Sequence, residues 1–147
     1  MASRLRPPSR SVLRLIDVNL NRALEGLRVC EDIVRFHRDH PRLARQLRAL
    51  RHALSAAAAR LPVDHLELLR ARDSRHDVGR RAPTTAESSL DRLLLINFQR
   101  AKESLRVLEE CARVIAPHSS SVFQAIRFRT YDVERDTLLH VAALRHP

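Results

Sequence analysis

Apolar residues recur at intervals of three and four along most of this chain, the spacing that places side chains on one face of an α-helix. The pattern predicts five helices, which cover approximately residues 9–38, 41–60, 63–71, 84–115 and 121–144. Ser9 or Ser11 is expected to cap the first helix, and Thr84 with Glu87 to form a capping box before the fourth. No segment alternates convincingly between apolar and polar residues, so the sequence predicts an all-α fold.

The first and fourth predicted helices repeat one another. Residues 17–36 match residues 95–114 at an offset of 78 positions. The identical pairs are Asn19/Asn97, Arg22/Arg100, Ala23/Ala101, Glu25/Glu103, Leu27/Leu105, Arg28/Arg106, Val29/Val107, Glu31/Glu109 and Arg35/Arg113. Like packing contacts in a duplicated hairpin would explain repeated leucines. Repeated Asn, Arg and Glu at fixed spacing also indicate a binding site.

The repeat predicts the architecture as well as a site. It lies around 11–60 and 86–144, and a charged loop near 72–84 joins the two copies. We therefore expect two helical hairpins related by a pseudo-twofold axis, forming a four-helix-bundle-like single domain over 1–147.

The repeated asparagines and arginines take a distinctive position on a helical wheel. At ~100° per residue, Asn19 and Arg22 fall beside apolar residues rather than on the solvent side, and Asn97 and Arg100 repeat that placement. A buried arginine needs a partner. We therefore expect the two strips to face each other across the axis as a cationic pocket that also carries amides.

The other repeated charges have two interpretations. Glu25, Arg28 and Glu31, with their counterparts Glu103, Arg106 and Glu109, have the three- and four-residue spacing of a solvent-exposed ladder of ion pairs, such as Arg28 with Asp32. They could instead form a carboxylate cluster, in which Glu31, Glu109 and Glu110 would hold Mg²⁺.

The charged loop and the second helix supply further candidates. Asp73 and Asp77 could carry a metal or orient an arginine such as Arg72, and Gly79 would permit a tight turn or a close approach to phosphate. Arg51 and His52 lie on the second helix, and Arg129 is the counterpart of Arg51 at the offset of 78.

The charge balance narrows the class of ligand. The chain has 27 Lys and Arg against 17 Asp and Glu, for a net charge of +10, and every basic residue except Lys102 is an arginine. A biased coding composition explains this as readily as anion binding, for which guanidinium groups are well suited. Because acidic residues are interspersed and aromatic residues make up only 3%, we expect no nucleic-acid partner.

Two further expectations concern the environment of the protein. No apolar stretch approaches the roughly 18 residues of a membrane span, so we expect a cytoplasmic protein without a membrane partner. Cys30 and Cys111 lie on apolar helix faces and are expected to be buried free thiols. A homodimer is expected only because such dimers are common.

Four motifs occur in order along the chain. They are DxNxNRAxEGLRVxED from Asp17, LRH at 50–52, RDSxxDVG from Arg72, and the second copy of the first motif from Asn97. Together they resemble a small all-helical domain, often fused to the N-terminus of bacterial thiamine-phosphate synthase, that is associated with hydroxymethylpyrimidine-phosphate kinase activity. The resemblance covers approximately residues 11–135.

The resemblance implies a small-molecule kinase of thiamine biosynthesis. ATP, with Mg²⁺, would donate phosphate to 4-amino-5-hydroxymethyl-2-methylpyrimidine phosphate and give the pyrophosphate. The catalytic candidates are Arg22, Arg100, Asp73 and Asp77. The candidates for binding substrate and nucleotide are Asn19, Glu25, Arg28, Arg51, His52, Arg72, Gly79, Asn97, Glu103 and Arg106. The alternative is a non-catalytic domain that binds the pyrimidine phosphate or docks on thiamine-phosphate synthase.

Overall fold

The structure is a computed structural model that describes residues 6–145, and most of these residues are helical. The five α-helices are α1 (Arg10–Asp32), α2 (Pro41–Ala59), α3 (His65–Ala71), α4 (Leu90–Ile115) and α5 (Ser120–Arg145). A π-helical turn, Ile33–His37, continues α1, and short 3₁₀ turns lie at Ser74–His76 and Pro117–Ser119. No strand is present in this part of the chain, which confirms the predicted all-α fold.

Side chains at the helix starts explain where the helices begin. The hydroxyl of Ser9 accepts the backbone N–H of Val12 at 3.2 Å, so Ser9 is the cap of α1. The predicted capping box at Thr84 is wrong, because α4 begins later, where Ser89 accepts the backbone N–H of Arg92 at 3.2 Å. The charged loop is therefore longer than predicted.

Helices α1 and α4 form the centre of the molecule and run antiparallel. Gly26 of α1 lies against Ala101, and the thiol of Cys30 donates to the carbonyl of Leu94 at 3.7 Å. A later residue of α1 therefore contacts an earlier residue of α4, as in an antiparallel pair. The α1–α2 and α4–α5 hairpins close the bundle through contacts between α2 and α5, and α3 packs on α1.

Fully buried side chains from all four long helices fill the core. The largest of them include Leu27, Leu47, Leu54, Phe98, Leu105 and Phe123. Cys30 and Cys111 are buried free thiols, as predicted. Burial raises the pKa of both thiols, since it disfavours the charged thiolate.

The two hairpins repeat individual interactions as well as helices. The side-chain amide of Asn19 donates to the carbonyl of Leu15 at 2.9 Å, and that of Asn97 donates to Leu93 at 2.9 Å. The carboxylate of Glu31 pairs with a guanidinium from α2, and that of Glu109 pairs with one from α5. These equivalences confirm the predicted pseudo-twofold arrangement.

The repeat changes its offset at the hairpin turns. Glu31 binds Arg51, 20 positions later, whereas Glu109 binds Arg127, 18 positions later. The equivalent of Arg51 is therefore Arg127, and the predicted equivalence with the exposed Arg129 is wrong. The two hairpins turn differently: the π-helical turn Ile33–His37 and residues 38–40 connect α1 to α2, whereas residues 116–119 connect α4 to α5, and the path from Glu31 to Arg51 is two residues longer than that from Glu109 to Arg127.

Among the described residues, no helix combines the length and the apolar character that crossing a membrane requires.

Candidate functional site

Two adjoining clefts meet at the crossing of α1 and α4. The first, called here the loop-side cleft, has a volume of about 300 Å³ and lies between α1 and the charged loop. The second, the helix-side cleft, has a volume of about 350 Å³ and lies between α1 and α4. Arg22 and Arg100 line both clefts. The two arginines that the repeat places at equivalent positions therefore stand at the junction of the two clefts.

The backbone crossing explains why these arginines come together. Ala23 and Ala101, the residues that follow them, are fully buried where the helices cross. Gly26 allows this close approach, because a Cβ atom at this position would lie 3.0 Å from the carbonyl oxygen of Asn97. Small residues at the crossing thus hold the two guanidinium groups on one side of the helix pair.

The loop-side cleft depends on a buried carboxylate. Asp17 of α1 is only 4% exposed, and Arg72 binds both of its oxygens, with Nε at 2.7 Å and Nη2 at 2.8 Å. This bidentate pair raises the pKa of Arg72, chiefly through the hydrogen bond to Asp17. The pair attaches the start of the charged loop to α1, at the place where the loop becomes one wall of the cleft.

Two further carboxylates lie on the loop wall. Asp73 contacts the Nδ1 atom of His76 at 2.9 Å, and this hydrogen bond is the main reason why the pKa of Asp73 is lowered. Asp77 accepts the backbone N–H of Gly79 at 2.8 Å. Both carboxylates line the cleft together with Arg14, Arg22 and Arg100. The cleft therefore offers cations for phosphate and carboxylates for a metal ion.

The helix-side cleft has a different lining. It is formed by Asn19 with Glu103, Ser104 and Val107, in addition to the two shared arginines. One oxygen of Glu103 accepts from the side-chain amide of Gln99 at 2.9 Å. The cleft combines hydrogen-bonding groups with an apolar side chain.

The predicted burial of Arg22 and Arg100 is wrong. Both residues are exposed to solvent and line open clefts, because the buried positions at the crossing are occupied by Ala23 and Ala101. Asn19 is buried, as expected. Asn97 is half-buried and does not line either cleft.

The three carboxylates predicted to bind a metal together do not meet. Because α1 and α4 are antiparallel, Glu31 and Glu109 lie at opposite ends of the helix pair, roughly 20 Å apart along its axis at 1.5 Å per residue. Glu31 pairs with Arg51, and Glu109 with Arg127. Glu110 pairs on the surface with Arg106 at 3.1 Å. Within residues 6–145, no group of three or more His, Cys, Asp or Glu is arranged to hold a metal ion.

Several other candidates also lie outside the two clefts. Arg28 pairs with Asp32 at 3.5 Å, as the ion-pair ladder predicted, and Arg106 takes part in the equivalent ladder of the second copy. Arg51 is held by Glu31, and His52 is exposed on α2. Gly79 has no positive φ angle, so the turn does not require glycine there.

A third cleft lies at the turn between α1 and α2. Its volume is about 410 Å³, and its basic lining residues include Arg35, Arg45 and Arg48. Of these three arginines, only Arg35 belongs to the repeated pattern. No residue of the charged loop or of the second copy of the repeat lines this cleft. It therefore brings together fewer of the sequence motifs than the loop-side and helix-side clefts.

Comparison with known proteins identifies the family. Residues 14–136 match the family model described as the ThiD2 family. The chain belongs to the ThiD2 family. That match includes most of α1, all of α2 to α4 and most of α5, and it contains every residue that lines the loop-side and helix-side clefts.

Relatives of this ThiD2-family chain carry the name thiamine-phosphate synthase. One from Rhodopirellula baltica is 34% identical over 139 residues, which are 92% of this chain and 36% of that protein. One from Synechococcus sp. (strain CC9605) is 40% identical over 124 residues, covering 84% of this chain and 34% of that protein. The chain spans about a third of the length of the curated relatives it matches. No solved structure matches the chain.

The structure adds five polar residues that the sequence did not identify as site residues. The residues that line the clefts in this way are Arg14, Asp17, Asn21, Ser74 and Ser104. Asp17 had a usable signal, since an acidic residue beside the core stripe of a helix requires a buried partner. Its repeat equivalent is Leu95, however, so a comparison of the two copies removes Asp17 from the repeated pattern. Asn21 also differs from its equivalent, Gln99, and Arg14 lies before the matched segment 17–36.

Proposed function

We propose that this chain is a phosphotransferase that moves phosphate from ATP to 4-amino-5-hydroxymethyl-2-methylpyrimidine phosphate. The observation that carries the proposal is that Arg22 and Arg100 line two adjoining clefts, each large enough for a small ligand. Two phosphorylated substrates bound side by side would both reach these guanidiniums. Membership of the ThiD2 family and the names of the relatives support a role in thiamine biosynthesis.

The arrangement suits the requirements of phosphoryl transfer. The reaction depends on alignment and on neutralisation of charge at the transferred group rather than on covalent chemistry from the protein. Arg22 and Arg100 take part in no ion pair within the described part of the chain, so their charge is available to phosphate. The acceptor oxygen belongs to a phosphate that is already ionised, and a strong general base is therefore unnecessary.

The loop carboxylates fit a Mg²⁺ ion that accompanies the nucleotide. Mg²⁺ at such sites is usually held by one or two carboxylates and by the phosphates themselves. Asp73 and Asp77 meet that requirement, and the lowered pKa of Asp73 keeps it ionised. The ion would supply further neutralisation of the phosphate oxygens, while Arg14 and the two shared arginines orient the chain of phosphates.

Activity measurements with variants of the shared arginines test the proposal. Purified protein with ATP, Mg²⁺ and the pyrimidine monophosphate should release ADP and form the pyrimidine pyrophosphate. Arg22→Ala and Arg100→Ala should each lower kcat/KM by roughly a hundredfold or more, since each removes a charge that the transition state needs. Both side chains are exposed, so the fold should survive, as checked by circular dichroism.

Arg129→Ala is the matched control, because Arg129 is exposed on α5 and lines neither cleft. Its activity should remain within about twofold of the parent. If a folded sample is stabilised against heat by the pyrimidine phosphate but releases no ADP, the chain is a binding domain rather than a kinase. If Arg129→Ala loses as much activity as Arg22→Ala, the clefts have no special role.

A further inference from the structure

The two clefts are chemically different even though they lie beside a pseudo-twofold axis. At the offset of 78, the equivalents of Asp17 and Asn21 on α1 are Leu95 and Gln99 on α4. Leu95 cannot bind an arginine as Asp17 binds Arg72. The loop that Arg72 anchors, with its carboxylates, is therefore present on the α1 side alone. Only the loop-side cleft has these carboxylates in its lining.

The helix-side cleft offers a pattern of hydrogen-bonding groups that suits an amino-substituted ring. Asn19 uses its side-chain amide nitrogen to bind Leu15, which leaves its carbonyl oxygen as an acceptor. Glu103 has one oxygen bound by Gln99 and a second oxygen available. Ser104 provides a hydroxyl, and Val107 an apolar surface. An exocyclic amino group and ring nitrogens find complementary partners in this set.

The loop-side cleft suits a polyphosphate. Asp17 neutralises Arg72, and the remaining lining includes Arg14 with the carboxylates of Asp73 and Asp77. Cations and carboxylates placed on facing walls match a chain of phosphates that carries a divalent cation. Such a mixture would serve a neutral ring poorly.

We infer that the pyrimidine phosphate occupies the helix-side cleft and the nucleotide phosphates occupy the loop-side cleft, with their phosphates meeting between Arg22 and Arg100. This assignment rests on the function proposed above and specifies which half of the duplicated fold takes which substrate. It makes Glu103 a specificity residue for the amino-pyrimidine ring. Its repeat equivalent Glu25, which lines the loop-side cleft, serves the nucleotide side instead.

The same substitution at the two equivalent positions tests the assignment. Calorimetric titration measures the binding of two probes separately: the pyrimidine monophosphate, and a non-hydrolysable ATP analogue with Mg²⁺. Glu103→Gln should weaken binding of the pyrimidine phosphate about tenfold or more, as expected for loss of a charged acceptor. It should leave the affinity for the analogue within about twofold. Asp77→Asn should show the opposite pattern, because it removes a carboxylate that would hold the nucleotide's Mg²⁺, and Glu25→Gln should leave the affinity for the pyrimidine phosphate within about twofold.

The outcomes separate this assignment from the proposed function. All three glutamate and aspartate positions are exposed, and the substitutions keep the size of each side chain, so the folded state is retained. If the parent protein binds both probes but the losses are reversed, or equal for both, the assignment is wrong while the kinase proposal stands. If the folded parent binds neither probe, the proposed function fails and the assignment fails with it.

Discussion

Gly26 shows how a single residue controls the distance between the two central helices. A side chain at this position would press on the backbone of α4, because its Cβ atom would lie only 3.0 Å from the carbonyl oxygen of Asn97. Backbone cannot move aside as a flexible side chain can. The absence of a side chain at Gly26 is therefore part of what brings Arg22 and Arg100 to one junction.

Replacement of Gly26 by a branched side chain should destabilise the protein. We expect Gly26→Val to lower the free energy of unfolding by about 1–3 kcal/mol, because overpacking forces the two helices apart. Urea denaturation measures the effect. Gly79→Ala is the control, since a Cβ atom there meets only the Asp77 carboxylate at 3.4 Å, and its stability should be unchanged. A parent-like value for Gly26→Val would show that the crossing is loosely packed.

The ion pair between Asp17 and Arg72 contributes both to the stability of the fold and to the loop-side cleft, which both residues line. Arg72→Ala leaves a carboxylate buried without its partner, and we expect a loss of about 1–3 kcal/mol in the free energy of unfolding. The double variant Asp17→Leu/Arg72→Ala should recover most of this loss, because Leu95 occupies the equivalent position in the second copy.

Nucleotide binding distinguishes the two roles of this pair. The double variant should regain stability in urea denaturation yet bind the Mg²⁺–ATP analogue at least about tenfold more weakly, because the loop has lost its anchor. Arg75→Ala, an exposed change in the same loop, serves as the control and should affect neither quantity. Parent-like affinity in the double variant would show that the loop does not need this attachment.

Among the helices, each hairpin has a largely buried ion pair at an equivalent position. Arg127 of α5 binds Glu109 of α4 at 2.8 Å, and their side chains are 10% and 9% exposed. Arg51 and Glu31 join α1 to α2 in the same way. Such a pair adds little net stability compared with an apolar pair, but removing one partner is costly because the other charge stays buried. These repeated glutamates therefore define the hairpins rather than a metal site.

Arg127→Met should consequently be far more damaging than the same change two positions later. We expect it to lower the free energy of unfolding by about 3 kcal/mol, since Glu109 would remain buried without its partner. Arg129→Met, on the exposed side of the same helix, should stay within about 0.5 kcal/mol of the parent. Chemical denaturation of both variants decides between Arg127 and Arg129 as the true equivalent of Arg51. Equal losses would contradict the assignment.

Across the bundle as a whole, Asp91 connects three parts of the chain. It lies in the first turn of α4, where Arg38 beyond the end of α1 and Arg145 at the end of α5 both bind its carboxylate. The side chain of Asp91 is 11% exposed. The hydrogen bond from Arg38 is the main cause that lowers the pKa of Asp91, and Arg145 adds to it.

This lowered pKa predicts an acid-sensitive contribution to stability. A carboxylate whose folded-state pKa is depressed stabilises the protein above its unfolded pKa of about 3.9, and the contribution is lost as the pH falls through the folded-state value. At pH 7 we expect Asp91→Asn to be about 1–3 kcal/mol less stable than the parent. Urea denaturation at several pH values should show this difference shrinking below about pH 4. A difference that stays constant with pH would contradict this explanation.

The helices, a cap of the first helix at Ser9 or Ser11 and the duplication could all be predicted from the sequence, because helical periodicity and capping depend on residues within one or two turns of each other. The repeat and the loop motif also identified Arg22, Arg100, Asp73 and Asp77, which line one cleft. The prediction failed at Thr84, because α4 begins at Leu90 and its cap is Ser89, five residues further along the chain.

Which charges meet depends instead on how distant segments pack. The antiparallel crossing places Glu31 and Glu109 at opposite ends of the helix pair, and the difference between the two hairpin turns makes Arg127, rather than Arg129, the equivalent of Arg51. Both facts follow from the direction in which the helices cross and from the length of a turn. The sequence repeat does not contain this information. A fixed offset between the two copies relates residues of one helix to residues of its copy, but it does not give the course of the chain between helices.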